Sequence, residues 1–222
     1  MRKAAKETAL GRPAASVSAS PEETMRNIVD VATAEFANKG FAGARVDEIA
    51  ALTKTSKRMI YYYFGGKEQL YLAVLEETFR RVRQAEAQLR LGDMTPEEGL
   101  RALVKFRFDY HHNNPDFVRL VMNENIHEAG FLSRSNSNAL MNVNSPAIEA
   151  IRTVYEPGCA KGIFRPGLDL IDIHLMISSL SFFSVSNRHT FSLNFNRDIS
   201  APAEVSRRRD NVVEMIWRFL KA

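Results

Sequence analysis

Four cations stand close together in a stretch of the chain that contains no acid. Lys54, Lys57, Arg58 and Lys67 all lie between positions 53 and 67. Up to Lys67 the chain carries 11 Lys and Arg against 7 Asp and Glu, whereas the remainder is balanced at 19 against 19. Because such cations pair with phosphates and with base edges, this local surplus indicates a nucleic-acid contact. Charge alone leaves a solvated charged face as the alternative.

Histidines and a carboxylate form a second set of residues that could do chemistry. His111, His112, Glu124 and His127 could hold a metal or transfer protons. Adjacent histidines point about 100° apart on a helix, however, and no third ligand has the i, i+4 spacing of a helical zinc pair. The sequence therefore predicts no catalytic site, metal or cofactor. A helical metal-dependent enzyme, or a ligand-binding protein without DNA function, is the alternative.

The composition predicts a protein with a real core, no membrane segment and a cytoplasmic location. Apolar residues make up 45% of the chain, and no run of them reaches the roughly 18 residues that a membrane helix needs. Residues 1–19 are small, polar and basic without a cleavage-site pattern, so they are expected to form a flexible arm. Arg12 within it either enters a minor groove or belongs to a disordered tail. The single cysteine, Cys159, is expected in the core and fits a reducing compartment.

Apolar periodicity and capping residues predict an all-α fold of about nine helices. Ser20 and Glu23 form a capping box around Pro21, and the first helix is expected to stop at Gly40. A fourth helix over 67–89 would link two domains. Later helices are predicted at 96–112, 115–126, 146–160, 169–188 and 203–221, with residues 133–144 as a loop or broken helix.

Two short helices joined by a tight turn are predicted between Val46 and Phe64. The first begins at Val46, and a polar break at 53–55 follows it. Ser56 is a good N-cap for the second helix, which Gly65 ends. This pattern predicts a helix-turn-helix DNA-binding domain over residues 20–66 and a ligand-binding and dimerisation domain over 67–222.

The same region closely resembles the N-terminal domain of the TetR family of transcriptional regulators. The resemblance rests on Gly40-Phe41, Asp47-Glu48-Ile49-Ala50, Ser56-Lys57, Ile60-Tyr61, Tyr63-Phe64 and Lys67-Glu68-Gln69-Leu70. It implies a DNA-binding regulator, most often a repressor, that a small-molecule effector releases from its operator. The C-terminal part weakly resembles the RutR-like members, and residues 162–166 resemble a connection common before the eighth helix.

Four positions in the head depart from the family pattern, and three of them, Lys54, Arg58 and Met59, are expected to lie closest to DNA. Lys54 stands where the turn commonly has glycine, so slight strain is expected there. Arg58 and Met59 replace a small pair, and Arg45 replaces a Ser or Thr that often caps the second helix. Operator preference is therefore expected to be unusual.

Ten residues are predicted to contact a double-stranded DNA operator. Arg58 is the best candidate for reading a base in the major groove, Lys57 could bind a base or a phosphate, and Tyr62 could reach a base edge or the backbone. The resemblance implies that Tyr61 and Lys67 contact phosphates. The full set is Arg45, Val46, Lys54, Ser56, Lys57, Arg58, Met59, Tyr61, Tyr62 and Lys67.

Polar groups on an apolar helix face indicate where an effector could bind. Arg107 and His111 share a face with Leu103 and Phe108, and such groups need partners. The resemblance implies a small-molecule pocket between helices five and eight. Its predicted lining is Arg107, His111, Met122, Asn125, Phe182 and Phe183. The alternative is that Arg107 and His111 are exposed or satisfied by neighbouring side chains.

The last two predicted helices are apolar on more than one side. Ile173 and Ile177 belong to one of them, and Val212, Ile216 and Trp217 belong to the other. A two-fold four-helix bundle with the same pair from a second chain would cover these faces and space two heads for a palindromic operator. Packing within one chain is the alternative to this homodimer.

Overall fold

The computed structural model of the protein describes residues 20–134 and 137–222. For residues 134 and 137–144 it describes the backbone alone. Within these residues there are ten α-helices, two 3-10 turns (Leu91–Asp93 and Leu132–Arg134) and no β-strand, so the all-α prediction is confirmed. The predicted arm over 1–19 lies outside the described residues. The helices are α1 (Pro21–Gly43), α2 (Val46–Leu52), α3 (Lys57–Phe64), α4 (Lys67–Ala87), α5 (Pro96–Asn113), α6 (Pro115–Ile126), α7 (Ser137–Ala160), α8 (Leu170–Ser186), α9 (Arg188–Asn194) and α10 (Pro202–Leu220).

The N-terminal head consists of α1, α2, α3 and the first turns of α4. The predicted capping box at its start is confirmed, since the Glu23 N–H donates to Ser20 Oγ and the Ser20 N–H to the Glu23 carboxylate. Gly40 has a φ of 66°, which breaks α1 at the predicted stop before one more turn. The apolar core of the head joins Ile28 and Phe36 of α1 to residues from the other three helices and includes Leu120 of α6.

The helix α7 begins earlier than the sequence indicated. Residues 133–144 were expected to form a loop or a broken helix, and Ser145 with Pro146 was expected to start the next helix. The helical segment instead begins at Ser137 and contains both Pro146 and Pro157. A proline lacks the amide hydrogen that residues inside a helix normally use, so it is most often found at the first position of a helix. For this reason Pro146 indicated that a helix begins there.

The region around α8 also differs from the prediction. A single helix over 169–188 was expected, whereas α8 ends at Ser186 and the additional helix α9 follows at an angle of 68°. Asp169 caps α8 as predicted, because its Oδ1 accepts the Ile171 N–H at 2.6 Å. None of the described helices is by itself long and apolar enough to cross a membrane, and the bent pair of α8 and α9 meets that criterion only when both are taken together.

The helix α5 lies at the centre of the larger C-terminal body. Its buried residues Leu103, Val104 and Phe108 share one apolar core with residues of α7, α8 and α10. The ring of Phe164 packs so closely on Gly158 of α7 that a β-carbon there would lie only 2.0 Å from it. Cys159 is half-buried beside this core, as expected of a core residue. Residues 162–166 connect α7 to α8, as predicted.

The head rests directly on α6 of the body. Leu120 of α6 is fully buried in the head core, and Asn123 Nδ2 lies 3.5 Å from the carbonyl oxygen of Phe36. The ring of Phe131, which follows α6, lies 4.2 Å from Phe41 and 5.2 Å from Tyr71 between ring centroids. The helices α4 and α6 therefore both contribute side chains to the head core and to an apolar cluster of the body.

Candidate nucleic-acid interface and sensing region

The helices α2 and α3 form a compact helix-turn-helix. The Ser56 hydroxyl accepts the Met59 N–H at 3.2 Å, so the predicted N-cap is confirmed. Gly65 ends α3 in the left-handed region with a φ of 82°, and Ile60 anchors the helix because its side chain is fully buried in the head core. Tyr63 and Phe64 are partly buried and pack against the same core. The rest of α3 is free to face outwards.

The outward face of α3 carries cations and aromatic rings. Lys57, Arg58 and Met59 are exposed, as are Tyr61 and Tyr62, and Tyr62 is 78% exposed. Lys57 Nζ lies 3.1 Å from Asp47 Oδ2 and 5.9 Å from the centre of the Tyr61 ring. Among the described residues, Arg58 has no carboxylate within ion-pair distance. This face therefore presents one unpaired guanidinium beside an ion-paired ammonium.

The residues before α3 have three different environments. Lys54 has a φ of 53°, so the strain expected of a lysine in a glycine-like turn position is present. Arg45 is exposed and does not cap α2 with its side chain; its backbone N–H instead donates to Glu35 Oε1 at 3.0 Å. Val46 is only 4% exposed and packs in the head core. Its side chain does not lie on the surface with the other predicted DNA contacts, because α2 turns it inwards.

Lys67 lies at the first position of α4 and is held in place by the head. Its Nζ lies 4.9 Å from the centre of the Phe41 ring and 3.4 Å from the carbonyl oxygen of Ala42. A cation at this end of a helix stands beside unpaired backbone N–H groups, an environment that favours a bound anion. The local geometry suits a phosphate contact.

Arg107 is buried in a polar network that joins four helices of the body. Its Nε donates to Glu86 Oε1 of α4 at 2.7 Å, and its Nη2 donates to the carbonyl oxygen of Ala147 of α7 at 2.8 Å. Its Nη1 lies 2.8 Å from His174 Nδ1 of α8. Glu86 also accepts from Arg83 at 2.7 Å, and both Glu86 and Arg107 are 3% exposed. Protein groups thus accept the hydrogen bonds of the Arg107 guanidinium. This is the alternative to an effector contact that the sequence left open.

Three other predicted effector contacts lie close together beside this network. His111 is buried, its Nδ1 lies 3.0 Å from the Ser181 hydroxyl, and its ring meets Phe182 edge-on at 5.6 Å. Phe182 and Met122 belong to one apolar cluster with Phe117. Burial, assisted by the nearby positive groups, lowers the pKa of His111 to about 4, so its ring is neutral at pH 7.

The two remaining predicted effector contacts do not point into this region. Asn125 is exposed, and its amide donates to the Val121 carbonyl oxygen of its own helix at 2.8 Å. Phe183 is 53% exposed on α8 and packs edge-on against Phe191 of α9. Phe183 directly follows Phe182 and therefore points about 100° away from it, whereas Asn125 lies in the last turn of α6 and bonds to its own helix.

Sequence reasoning missed Arg83, Glu86, His174 and Ser181 as parts of the buried polar region. Arg83 and Glu86 directly follow the apolar positions of α4, and Val82 and Glu86 share a helix face four residues apart. That placement was a signal that Glu86 is buried and needs a cationic partner. Burial, followed by the positive charges of Arg107 and Arg83, lowers the pKa of His174 to about 4.

The residues of the alternative metal site do not converge. His111 bonds to Ser181, whereas Glu124 lies at the head junction, where its Oε2 accepts the Leu132 N–H at 3.2 Å. His127 is exposed after α6. In the part of the chain that the structure describes, no three His, Cys, Asp or Glu side chains are placed to hold a metal.

A basic helix-turn-helix head on an all-α body defines a DNA-binding transcriptional regulator. Residues 28–74 match the family model for bacterial regulatory proteins of the tetR family, and residues 96–216 match the model for a tetracyclin repressor-like C-terminal domain. The chain belongs to the TetR family.

Individual relatives agree with this assignment. The chain is 43% identical over 171 residues to the HTH-type transcriptional repressor NicS of Pseudomonas putida. The aligned region covers 77% of this chain and 80% of that protein. It is 30% identical over 93 residues to the HTH-type transcriptional regulator RutR of Escherichia coli, or 42% of this chain and 43% of RutR. The crystal structure of the putative transcriptional regulator SCO4942 from Streptomyces coelicolor superposes with a TM-score of 0.63 at 26% identity, over 89% of this chain and 98% of that one.

Proposed function

We propose that this chain is a cytoplasmic repressor that binds a palindromic operator as a homodimer and releases it when a small molecule binds the helical body. The exposed face of α3 carries the proposal, because a short capped helix with an unpaired guanidinium at its first turn suits insertion into the major groove. The similarity to a relative named as a repressor supports repression over activation.

The DNA contacts divide into readers of sequence and holders of the backbone. Arg58 is the base reader, and Tyr62 stands beside it for a second base edge or the sugar-phosphate backbone. Lys57 is held by Asp47 and exchanges this partner for a phosphate on binding. Tyr61 and Lys67 bind phosphates at the edge of the groove, and Ser56 acts through the cap that orients α3. Arg45, Lys54 and Met59 complete the contacting surface.

Exposed apolar side chains on α8 and α10 support a homodimer. Ile171 and Leu175 of α8 are 63% and 60% exposed, and Met215 and Phe219 of α10 are 47% and 38% exposed. Each pair is spaced four residues apart, so each forms a stripe along its helix. A four-helix bundle with a second copy covers all four side chains. Phe183 is also exposed on α8, two turns beyond Leu175.

The coupling between effector and DNA passes through α4 and α6. The helix α4 carries Tyr71 in the head core and Glu86 in the buried network of the body. An effector that favours another arrangement of the body therefore changes the distance between the two heads and weakens operator binding. The cluster around His111, Met122 and Phe182 is the part of the predicted effector lining that remains together in the fold.

Selection of DNA from randomised fragments tests this function. The expected product is a palindrome whose affinity falls steeply as salt is raised, because phosphate contacts release counterions. Placed over a promoter, the selected sequence should lower transcription in vitro when the protein is added. Absence of any enriched sequence would refute the DNA function, and increased transcription would refute repression.

A further inference from the structure

A cleft of about 490 Å³ lies outside the predicted effector lining, where α5, α8, α9 and α10 meet. Its walls include Asp109 and His112 of α5, Val185 of α8, Arg188 of α9 and Arg209 of α10. The volume falls within the range of small-molecule sites in proteins. The walls come from separate helices, so a molecule bound here would contact several helices of the body at once.

The guanidinium of Arg209 is only partly satisfied. Its Nη1 lies 3.2 Å and 3.3 Å from the two oxygens of Asp109, and its Nη2 donates to the Ser206 hydroxyl at 3.3 Å. Its Nε is buried without a hydrogen-bond partner, since Asp210 Oδ1 at 3.7 Å is too distant. A buried donor of this kind is costly unless an acceptor reaches it.

Arg188 adds a second guanidinium without a carboxylate of its own. Its Nε donates to His189 Nε2 at 3.1 Å, and among the described residues no Asp or Glu lies within ion-pair distance of it. The lining of the cleft thus contains two guanidinium groups and the single carboxylate of Asp109, a surplus of one positive charge. Asp210, whose Oδ1 lies 3.7 Å from Arg209 Nε, is not part of this lining.

His112 does not change this balance at neutral pH. Its Nδ1 lies 2.9 Å from the carbonyl oxygen of Phe108, so Nδ1 carries the hydrogen, and its Nε2 lies 3.2 Å from the Ser184 hydroxyl. Burial lowers the pKa of His112, which keeps the ring neutral at pH 7. The ring is a wall of the cleft and not a second cation for the ligand.

We propose that this cleft binds a small organic acid, whose carboxylate pairs with Arg188 and Arg209 and whose apolar part lies against Val185, Ile199 and Val205. The lining is mostly polar, but these apolar side chains form a patch that an organic acid would cover and a bare inorganic anion would not. The binding site stands on the geometry of the cleft, whereas the role of the acid as effector rests on the proposed function. A carboxylate at Arg209 competes with Asp109 and so weakens an ion pair between α5 and the proposed dimer helix α10.

Calorimetry on the full-length protein tests the site with benzoate and hexanoate, each against its neutral amide. The acids should bind at least about tenfold more tightly than benzamide and hexanamide, since charge-assisted bonds to guanidinium are lost in the amides. Arg188→Gln should weaken acid binding about tenfold and leave amide binding unchanged. Arg207→Gln, an exposed change on α10 outside the cleft, is the matched control and should have no effect. Arg209→Lys, which keeps the charge but loses Nε, should also weaken the acids.

Three results would overturn the site: no acid binding up to about 10 mM, equal affinity for acids and amides, or inorganic phosphate binding as tightly as the acids, which would indicate an adventitious ion only. Release of the selected DNA by benzoate from the wild type but not from Arg188→Gln supports the effector role. Acid binding without DNA release would overturn that role while leaving the site. If the wild-type protein bound no DNA at all, the proposed function would be refuted. The acid-binding cleft would not be, because the calorimetry requires no DNA.

Discussion

At the scale of single residues, the proposed recognition of the operator depends most on Arg58. It is exposed on the first turn of α3 and has no ion-pair partner among the described residues. Arg58→Ala is expected to weaken specific DNA binding by about 1–3 kcal/mol and to relax one base position, because a bidentate contact to guanine is lost. Binding titrations on the selected operator and its single-base variants measure both effects.

Arg152→Ala, an exposed cation of the body, is the control for this prediction and should leave DNA binding unchanged. An equal loss with every DNA sequence would make Arg58 a phosphate contact. No loss at all would remove it from the interface.

The buried histidine His111 predicts acid sensitivity of the fold. Burial, then His112, Arg107, Arg83 and His174, lowers its pKa to about 4. The unfolded chain, with a histidine pKa near 6.5, then binds more protons than the folded chain between about pH 6.5 and pH 4, so stability falls as pH falls through this window. The contribution is on the order of 3 kcal/mol.

Urea unfolding at several pH values measures this slope. His111→Gln should make it less steep between pH 6.5 and pH 4, because one titrating ring is gone while a partner for Ser181 remains; His174, whose pKa is also lowered to about 4, keeps part of the slope. His189→Gln, on an exposed ring, should leave the slope as in the wild type. An unchanged slope in His111→Gln would show that other groups cause the acid sensitivity.

At the scale of elements, the turn between α2 and α3 holds strain that one substitution can relieve. The φ of 53° at Lys54 places a side chain in the left-handed region, which costs roughly 1–2 kcal/mol for residues other than glycine. Lys54→Gly is expected to raise the free energy of unfolding by up to about 1 kcal/mol, since glycine loses part of this gain to its greater freedom in the unfolded chain.

Lys54→Ala is the matched control, because it removes the same cation and keeps the steric cost. Chemical denaturation should therefore show a gain in stability for glycine and none for alanine. If both variants were equally stable, the strain at this turn would be too small to matter. If Lys54 contacts the DNA backbone as proposed, the glycine and alanine variants should weaken DNA binding to the same extent.

At the scale of the whole molecule, the buried carboxylate of Glu86 ties the helix that carries the head to the rest of the body. It accepts from Arg107 at 2.7 Å and from Arg83 at 2.7 Å. Glu86→Gln leaves two buried guanidinium groups without a counter-charge and is expected to destabilise the protein by about 3–5 kcal/mol, measured by urea unfolding. Glu76→Gln, an exposed change on the same helix, should stay within about 0.5 kcal/mol of the wild type. A loss under about 1 kcal/mol for Glu86→Gln would mean that water or rearrangement replaces the ion pair.

The oligomeric state is the second prediction at this scale. Leu175→Glu places a charge on the exposed apolar stripe of α8 and should convert the proposed dimer to monomer, because a charge buried without a partner is strongly unfavourable. Sedimentation velocity at micromolar concentration measures the change. Leu52→Glu is the same substitution at an exposed leucine of the head and should leave the dimer intact. A wild-type monomer would exclude the dimer outright.

The sequence by itself determined the features that local physics controls. Ser20 and Ser56 cap their helices and Gly40 and Gly65 break theirs as predicted, because caps and left-handed positions depend on a few neighbouring residues. The strain at Lys54 was predictable for the same reason. The all-α class followed from apolar periodicity, and the family followed from the resemblance of the head's motifs to those of the TetR family. Pro146 misled this reasoning, since a proline that usually starts a helix lies inside α7.

Only the tertiary structure decided which side chains meet. Arg107, His111, Asn125 and Phe183 were grouped by helix and by chemistry, yet the rotation of each helix buried the first two and exposed the others. Glu86 and Arg107 stand 21 positions apart, and no local pattern pairs them. The cleft around Arg188 and Arg209 likewise exists only because α5, α8, α9 and α10 converge. Contacts between distant segments depend on packing angles that a linear pattern does not contain.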